Sequence, residues 1–330
     1  MQLFRKEPNF DFIAWRWQAL ALSLLVITGG VVLLVVRGGL PLGIDFSGGT
    51  LIVIEFEEPI TEDAVRDALA SVEGEKVVQQ YGATDANQIM VRLPQSGPEV
   101  GTSLEEGAEA VRQALLDSAV GGFEVVGQEL VGPVIGQELR QRGIQAFVFA
   151  MAGILVYIGL RFRFSFGVGA IVAVAHDIMI TVSLLMFFGY ELSLNVVAAM
   201  LTITGYSVND SIVVFDRVRE NLRVMRRDQF DYLVNRSVNQ TLARTLITSG
   251  TTGFAVLALY VFGGEVLRGF AFTMLVGVFS GTYSTIFIAA SIAILITQRR
   301  AAQRYSHPAA ADQAPSRQRS KRQGRRARAS

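Results

Sequence analysis

Apolar residues gather along this chain in six long runs, at 18–36, 144–160, 166–188, 192–215, 242–262 and 269–296. A helix rises ~1.5 Å per residue and a bilayer's hydrocarbon core is ~30 Å thick, so about 20 apolar residues cross it. Five runs reach or approach that length. The run at 144–160 is short, and the helical pattern of 134–142 ahead of it supplies an extension. The pattern predicts six membrane helices.

Between the first two runs the period changes. Residues 51–56, 77–81, 88–93 and 123–132 read as strands. Residues 61–71 read as a helix with Thr61 as its cap and Glu62 and Asp63 in its first turn. Residues 103–118 read as a second helix, opened by the S-x-x-E pair Ser103 and Glu106. The order β-α-β-β-α-β is that of a ferredoxin-like split βαβ unit. The expected fold is thus a polytopic α-helical membrane protein with six transmembrane helices. One α+β ferredoxin-like (βαββαβ) external domain, at 37–142, stands between helices 1 and 2.

Composition agrees: 51% of the 330 residues are hydrophobic and only 18% charged, with a mean hydropathy of +0.38. There is no cysteine, which excludes thiolate chemistry, and two histidines are too few for a histidine-built metal centre. No cofactor is expected. The net charge of +1 conceals a segregation: 18 acids stand against five bases between Ile44 and Arg140. Basic residues crowd the N-terminus (1–17), Arg161 and Arg163, the 216–242 loop and the tail at 299–330. The first run is longer than a signal-peptide core and no small-x-small cleavage site follows it, so an uncleaved span is expected; by the positive-inside rule both termini are expected in the cytoplasm and the acidic domain outside. The loop arginines are first a topology determinant and second a contact for anionic lipid or a partner. The tail is disordered by composition and gives no sign of specific nucleic-acid binding.

Asp210, preceded by Asn209, is the sole formal charge within 192–215. A carboxylate at that depth costs at least ~2.5 kcal/mol and generally faces protein or water with a task to perform. Arg244 opens the fifth span and cannot give up its proton. An acid whose proton affinity changes with its distance from that guanidinium would make a relay; a static buried ion pair is the alternative. His176–Asp177 in the third span is a second candidate, as relay member or as structural pair. Ser207 and Thr248 stand on the same helices as supporting polar groups, and the remaining hydroxyls at helical spacing are glue between spans. The stretch GIDFSGGT at 43–50, with Gly43, Asp45, Gly48 and Gly49, lacks the Lys-Ser/Thr of a phosphate loop. It reads as a turn or hinge joining span to domain.

These motifs, together with AHD in the third run, GYSVNDSIVVFDRVREN in the fourth and TLARTLITS at the start of the fifth, resemble the SecF family of protein-export membrane proteins. The likeness covers residues 10 to 298. It implies membership of the resistance–nodulation–division superfamily and a non-enzymatic auxiliary of the Sec translocase in the cytoplasmic (inner) membrane of a prokaryote. It further implies use of the proton gradient, with Asp210 and Arg244 in the proton pathway. The implied partners are SecD, the SecYEG channel, a YidC-type insertase, the unfolded exported polypeptide and membrane lipids. Half of a proton-driven small-molecule or lipid exporter, and an unenergised scaffold of the translocon, remain as other readings of the residues.

Overall fold

In a computed structural model the described residues are 8–306, apart from 73, 75, 82–86, 95–103, 119 and 226–227. The first apolar run forms α1 (Arg16–Val36), ended by Gly38 and Gly39 with φ of 72° and 148°. A one-turn helix, α2 (Ile44–Ser47), follows. The domain then comprises β1 (Gly49–Phe56), α3 (Glu62–Ala68), β2 (Val77–Tyr81), β3 (Gln88–Pro94), α4 (Leu104–Asp117) and β4 (Phe123–Val131). After it come α5 (Pro133–Arg161), α6 (Phe164–Phe187), α7 (Leu194–Val224), α8 (Phe230–Phe262) and α9 (Gly264–Ser284). A π turn (Thr285–Ala289) joins α9 to α10 (Ala290–Ser306). Among the described residues six helices are long and apolar enough to cross a membrane, the last formed by α9, the π turn and α10 together.

The four strands form one antiparallel sheet in the order β2-β3-β1-β4. Alternating residues of β1 (Ile52, Ile54 and Phe56) point to the helix-covered face and bury against Val65, Val111 and Leu115 of α3 and α4. Thr61 caps α3, its Oγ1 accepting the Ala64 N–H at 3.3 Å. Ser103 and the tail beyond 306 lie outside the described residues.

The 134–142 stretch extends the short run as expected: Gly132 and Pro133 start one unbroken 29-residue helix, since proline is favoured at a first helical position. Three boundaries differ from the sequence reading, each for a physical reason. The 43–50 stretch is no plain turn, because it holds α2 and the first residues of β1. The basic 216–242 segment is largely helix: α7 and α8 project past the apolar zone, joined where Asn221 Nδ2 donates to Ser237 Oγ and Gln240 Oε1, both at 2.9 Å. Residues 299–306, read as tail, continue α10.

At one end of the bundle the amino-terminal segment is clamped to α8. Asn239 Oδ1 accepts the Phe10 N–H at 2.8 Å and Asn235 Oδ1 accepts that of Phe12 at 3.0 Å. Asp231 there meets Arg16 at 3.5 Å and Gln298 at 2.7 Å. The opposite end carries the sheet domain, tied on through the α6–α7 connection. Gly43 N donates to Leu192 O at 2.9 Å, and Leu192 N to Pro41 O at 2.7 Å. Arg92 of β3 reaches Leu42 O at 2.5 Å and Glu191 at 2.8 Å.

Candidate functional site

Asp210 sits near the middle of α7 and is 8% exposed. Its Oδ1 accepts the Thr245 hydroxyl of α8 at 2.7 Å. Its Oδ2 is buried without any hydrogen-bond donor. The expected meeting with Arg244 is not made as an ion pair: Arg244 is exposed, and its neighbour Thr245 points inward instead. Adjacent residues on a helix lie about 100° apart, so only one of the two can face α7. One turn further along, Tyr206 donates to Ser249 at 3.4 Å, and Ser249 joins Thr282 of α9 at 2.7 Å. Asp210 thus heads a ladder of hydroxyls between α7, α8 and α9 with one acceptor left open.

Asp177 has the opposite character. It is 2% exposed, and both carboxylate oxygens are engaged. Oδ1 accepts from Ser280 at 2.6 Å and lies 3.1 Å from His176 Nδ1. Oδ2 accepts from Ser207 at 2.6 Å and Ser284 at 2.7 Å. One carboxylate therefore binds α6, α7 and α9 together. On the far side of the ring, His176 Nε2 is 2.9 Å from Ser23 of α1, and Ser23 is 3.1 Å from Tyr283, whose hydroxyl donates to Ala19 O at 2.6 Å. A neutral imidazole accepts from Ser23. An imidazolium donates to it, and Ser23 then donates to Tyr283 with no heavy atom displaced.

Asn209 and Thr248 are exposed, and Thr248 donates only to its own helix, at Arg244 O and Thr245 O. Asn195, Thr202 and Asn209 repeat every seven residues on α7, and Arg244, Thr248 and Thr251 line α8; all six are exposed. Two polar stripes beside Asp210 thus look away from this chain: Thr202, Thr248 and Thr251 donate to carbonyls of their own helices, while Asn195, Asn209 and Arg244 project outward beside them.

The motif residues pack at the junction of domain and bundle. Asp45 Oδ2 accepts the Leu194 N–H at 2.8 Å, next to the Ser193 cap at the start of α7. Gly48, with φ of 70°, lies so near α5 that an added Cβ would come within 2.9 Å of Pro133 Cα. Gly49 also has positive φ, 125°, and a Cβ on Gly43 would lie 3.3 Å from Leu192 O. Burial pushes the Glu191 carboxyl above its ordinary range, and Arg92 pulls it part of the way back. Sequence reasoning missed Thr245, Ser23, Tyr283 and the Arg92–Glu191 pair. Nothing in local spacing marks them; they become partners only once the helices are packed.

A sequence profile described as "Protein export membrane protein SecD/SecF, C-terminal" matches residues 111–299, and one described as "SecD/SecF GG Motif" matches residues 32–60. The protein translocase subunit SecF of Escherichia coli O157:H7 is 41% identical over 300 residues, which are 91% of each chain. The chain belongs to the SecF family. The SecF of Pseudomonas aeruginosa is 44% identical over 252 residues, covering 76% of this chain and 80% of that one. Among solved structures, SecDF of Thermus thermophilus, a translocon-associated membrane protein, is 36% identical with a TM-score of 0.79. That match covers 90% of this chain but 40% of SecDF, so the SecF chain spans about two fifths of its structural relative. A SecDF crystal structure in a super-membrane-facing form matches with a TM-score of 0.67 and 37% identity, covering 41% of that chain. The relatives carry translocase-subunit names, and this SecF-family chain is accordingly a multi-pass auxiliary of Sec translocation.

Proposed function

We propose that this chain is one half of a proton-driven auxiliary of protein export and works with a SecD subunit. The observation that carries the reading is the pair of polar stripes flanking Asp210. Polar side chains inside a membrane face protein or water, and here they face neither within the chain. A second set of spans lying over α7 and α8 would cover them and would bring Asp210 to the interface of the pair. SecDF, of which this chain matches two fifths, has room for such a set.

Asp210 is suited to exchange a proton at that interface. Thr245 orients one oxygen and the other is free to bind and release hydrogen. Arg244, one residue away and facing the stripe, favours the charged form whenever the partner brings it nearer. Gain and loss of the charge would change which packing of α7 against its neighbours is stable. Asp45 and the Arg92–Glu191 pair would carry that change from the α6–α7 connection to the sheet domain, which we read as ferredoxin-like and external. The basic end of the bundle would lie in the cytoplasm, the protons would enter from outside, and the SecYEG channel, a YidC-type insertase and the unfolded exported chain would be its working surroundings. No cofactor enters this scheme.

Asp177 supports a more limited role. With both oxygens satisfied it behaves as a structural hub, and among the described residues the titratable side chain in contact with it is His176.

The test is export of a secreted precursor by cells producing Asp210→Asn together with SecD. Gradient-dependent export should fall by at least about tenfold while the two chains still copurify; the estimate follows from the loss of a group that acts only during turnover. Normal export by a well-produced variant would defeat the proposal.

A further inference from the structure

We propose that an arginine-lined cleft at the basic end of the bundle is a binding site for the phosphate of an anionic phospholipid. Arg161, Arg163, Arg219 and Arg223 surround a cleft of about 490 Å³ whose floor includes Phe162 and Phe166. The acid beside it, Asp216, is already engaged by Arg161 at 3.0 and 3.1 Å, and Glu220 is engaged by Arg217 at 2.9 Å. Among the described residues, neither Arg163 nor Arg219 has a carboxylate within ion-pairing distance. The lining of the cleft thus has four arginines and no carboxylate. A guanidinium presents a planar fork of donors that matches a phosphate two bonds at a time.

Backbone adds to the field. Arg163 is the residue before α6, a 24-residue helix that has no side-chain cap. Its first N–H groups and the positive end of its dipole stand at the cleft.

The site's height selects lipid over a dissolved anion. The cleft opens where α5 stops and α6 begins, at the level where hydrocarbon gives way to headgroups. Leu160 and Phe164, on either side, are 86% and 61% exposed, as acyl-chain contacts would be. The floor is apolar too: Phe166 stacks on Phe215 at 5.0 Å, and Phe162 meets it edge-on at 6.3 Å. Phe215 belongs to α7, five residues beyond Asp210. A lipid held here braces the inner end of the helix that carries the buried acid.

Native mass spectrometry of the full chain, titrated with phosphatidylglycerol or phosphatidylcholine, tests the site. Phosphatidylglycerol should bind more tightly. The double variant Arg163→Gln and Arg219→Gln should weaken that binding roughly 25-fold, from two surface charges each worth about a factor of five. The corresponding Arg→Lys pair should keep part of it, because charge remains while the fork is lost. Arg236→Gln, on α8 outside the cleft, should bind as the wild type does. Equal binding of phosphatidylcholine, an unaltered Gln double variant, or equal weakening by Arg236→Gln would each overturn the proposal. Displacement of the lipid by millimolar inorganic phosphate would do the same, by identifying a site for free anion.

Discussion

Two carboxylates lie buried among these helices, and their hydrogen bonds divide the labour between them. Asp177 accepts three serine hydroxyls as well as its histidine neighbour, whereas Asp210 accepts one threonine and leaves an oxygen open. Removing a carboxylate around which three buried donors are arranged strands those donors, so Asp177→Leu should destabilise the chain by roughly 3–5 kcal/mol in denaturant unfolding. Asp210→Asn disturbs a single bond and should change stability by no more than about 1 kcal/mol. Equal losses for the two would contradict this division. Glu191 provides a pH test outside the spans. Its native pKa is raised by burial, with Arg92 opposing, so between the unfolded value of ~4.3 and the native one the folded chain binds the extra proton. The group's contribution to stability is complete below the unfolded value and is lost as pH rises through the native one. Glu191→Gln removes that slope. Thermal unfolding should therefore show wild type and variant closest in acid, with the wild type falling behind as pH increases, and a constant offset would be the contrary result. Sequence pattern alone reveals Asp210 and Arg244 as charges on neighbouring spans. It does not reveal which of Arg244 and Thr245 turns inward, because that depends on a helix rotation fixed by packing against α7 and α9.

At the scale of elements, the apolar runs locate the six long apolar helices of the described residues, and residue period locates the strands and helices of the domain. Run length is less informative about helix ends. α5, α7 and α8 continue past their apolar runs because charged residues tolerate exposed helix as readily as loop, so apolar length underestimates them. The glycines at 43–49 show the other limit: composition marks a bend, but contact with α5 decides its shape. Gly48→Ala combines left-handed strain of about 1–2 kcal/mol with a backbone clash at Pro133 and should cost about 2–4 kcal/mol. Gly38→Ala has comparable φ but open space around it, so the strain alone should appear. Comparison of the two variants by denaturant unfolding isolates the contact between α2 and α5; equal costs would mean that the contact does not constrain the joint.

For the whole molecule, the arrangement links a buried acid to a domain at one end and to an arginine cleft at the other, with α7 running between them. Ser193 and Asp45 cap its start at the domain end, Asp210 occupies its middle, and Phe215 and Asp216 stand beyond it toward the other end. In the proposed function other spans cover the polar stripes on α7 and α8, and proton exchange takes place at that covered face. The most direct measurement is proton movement across vesicles containing the chain reconstituted with SecD, under an imposed pH gradient. Wild type should dissipate the gradient and Asp210→Asn should not, although both assemble. Equal proton flux from the two would contradict the account.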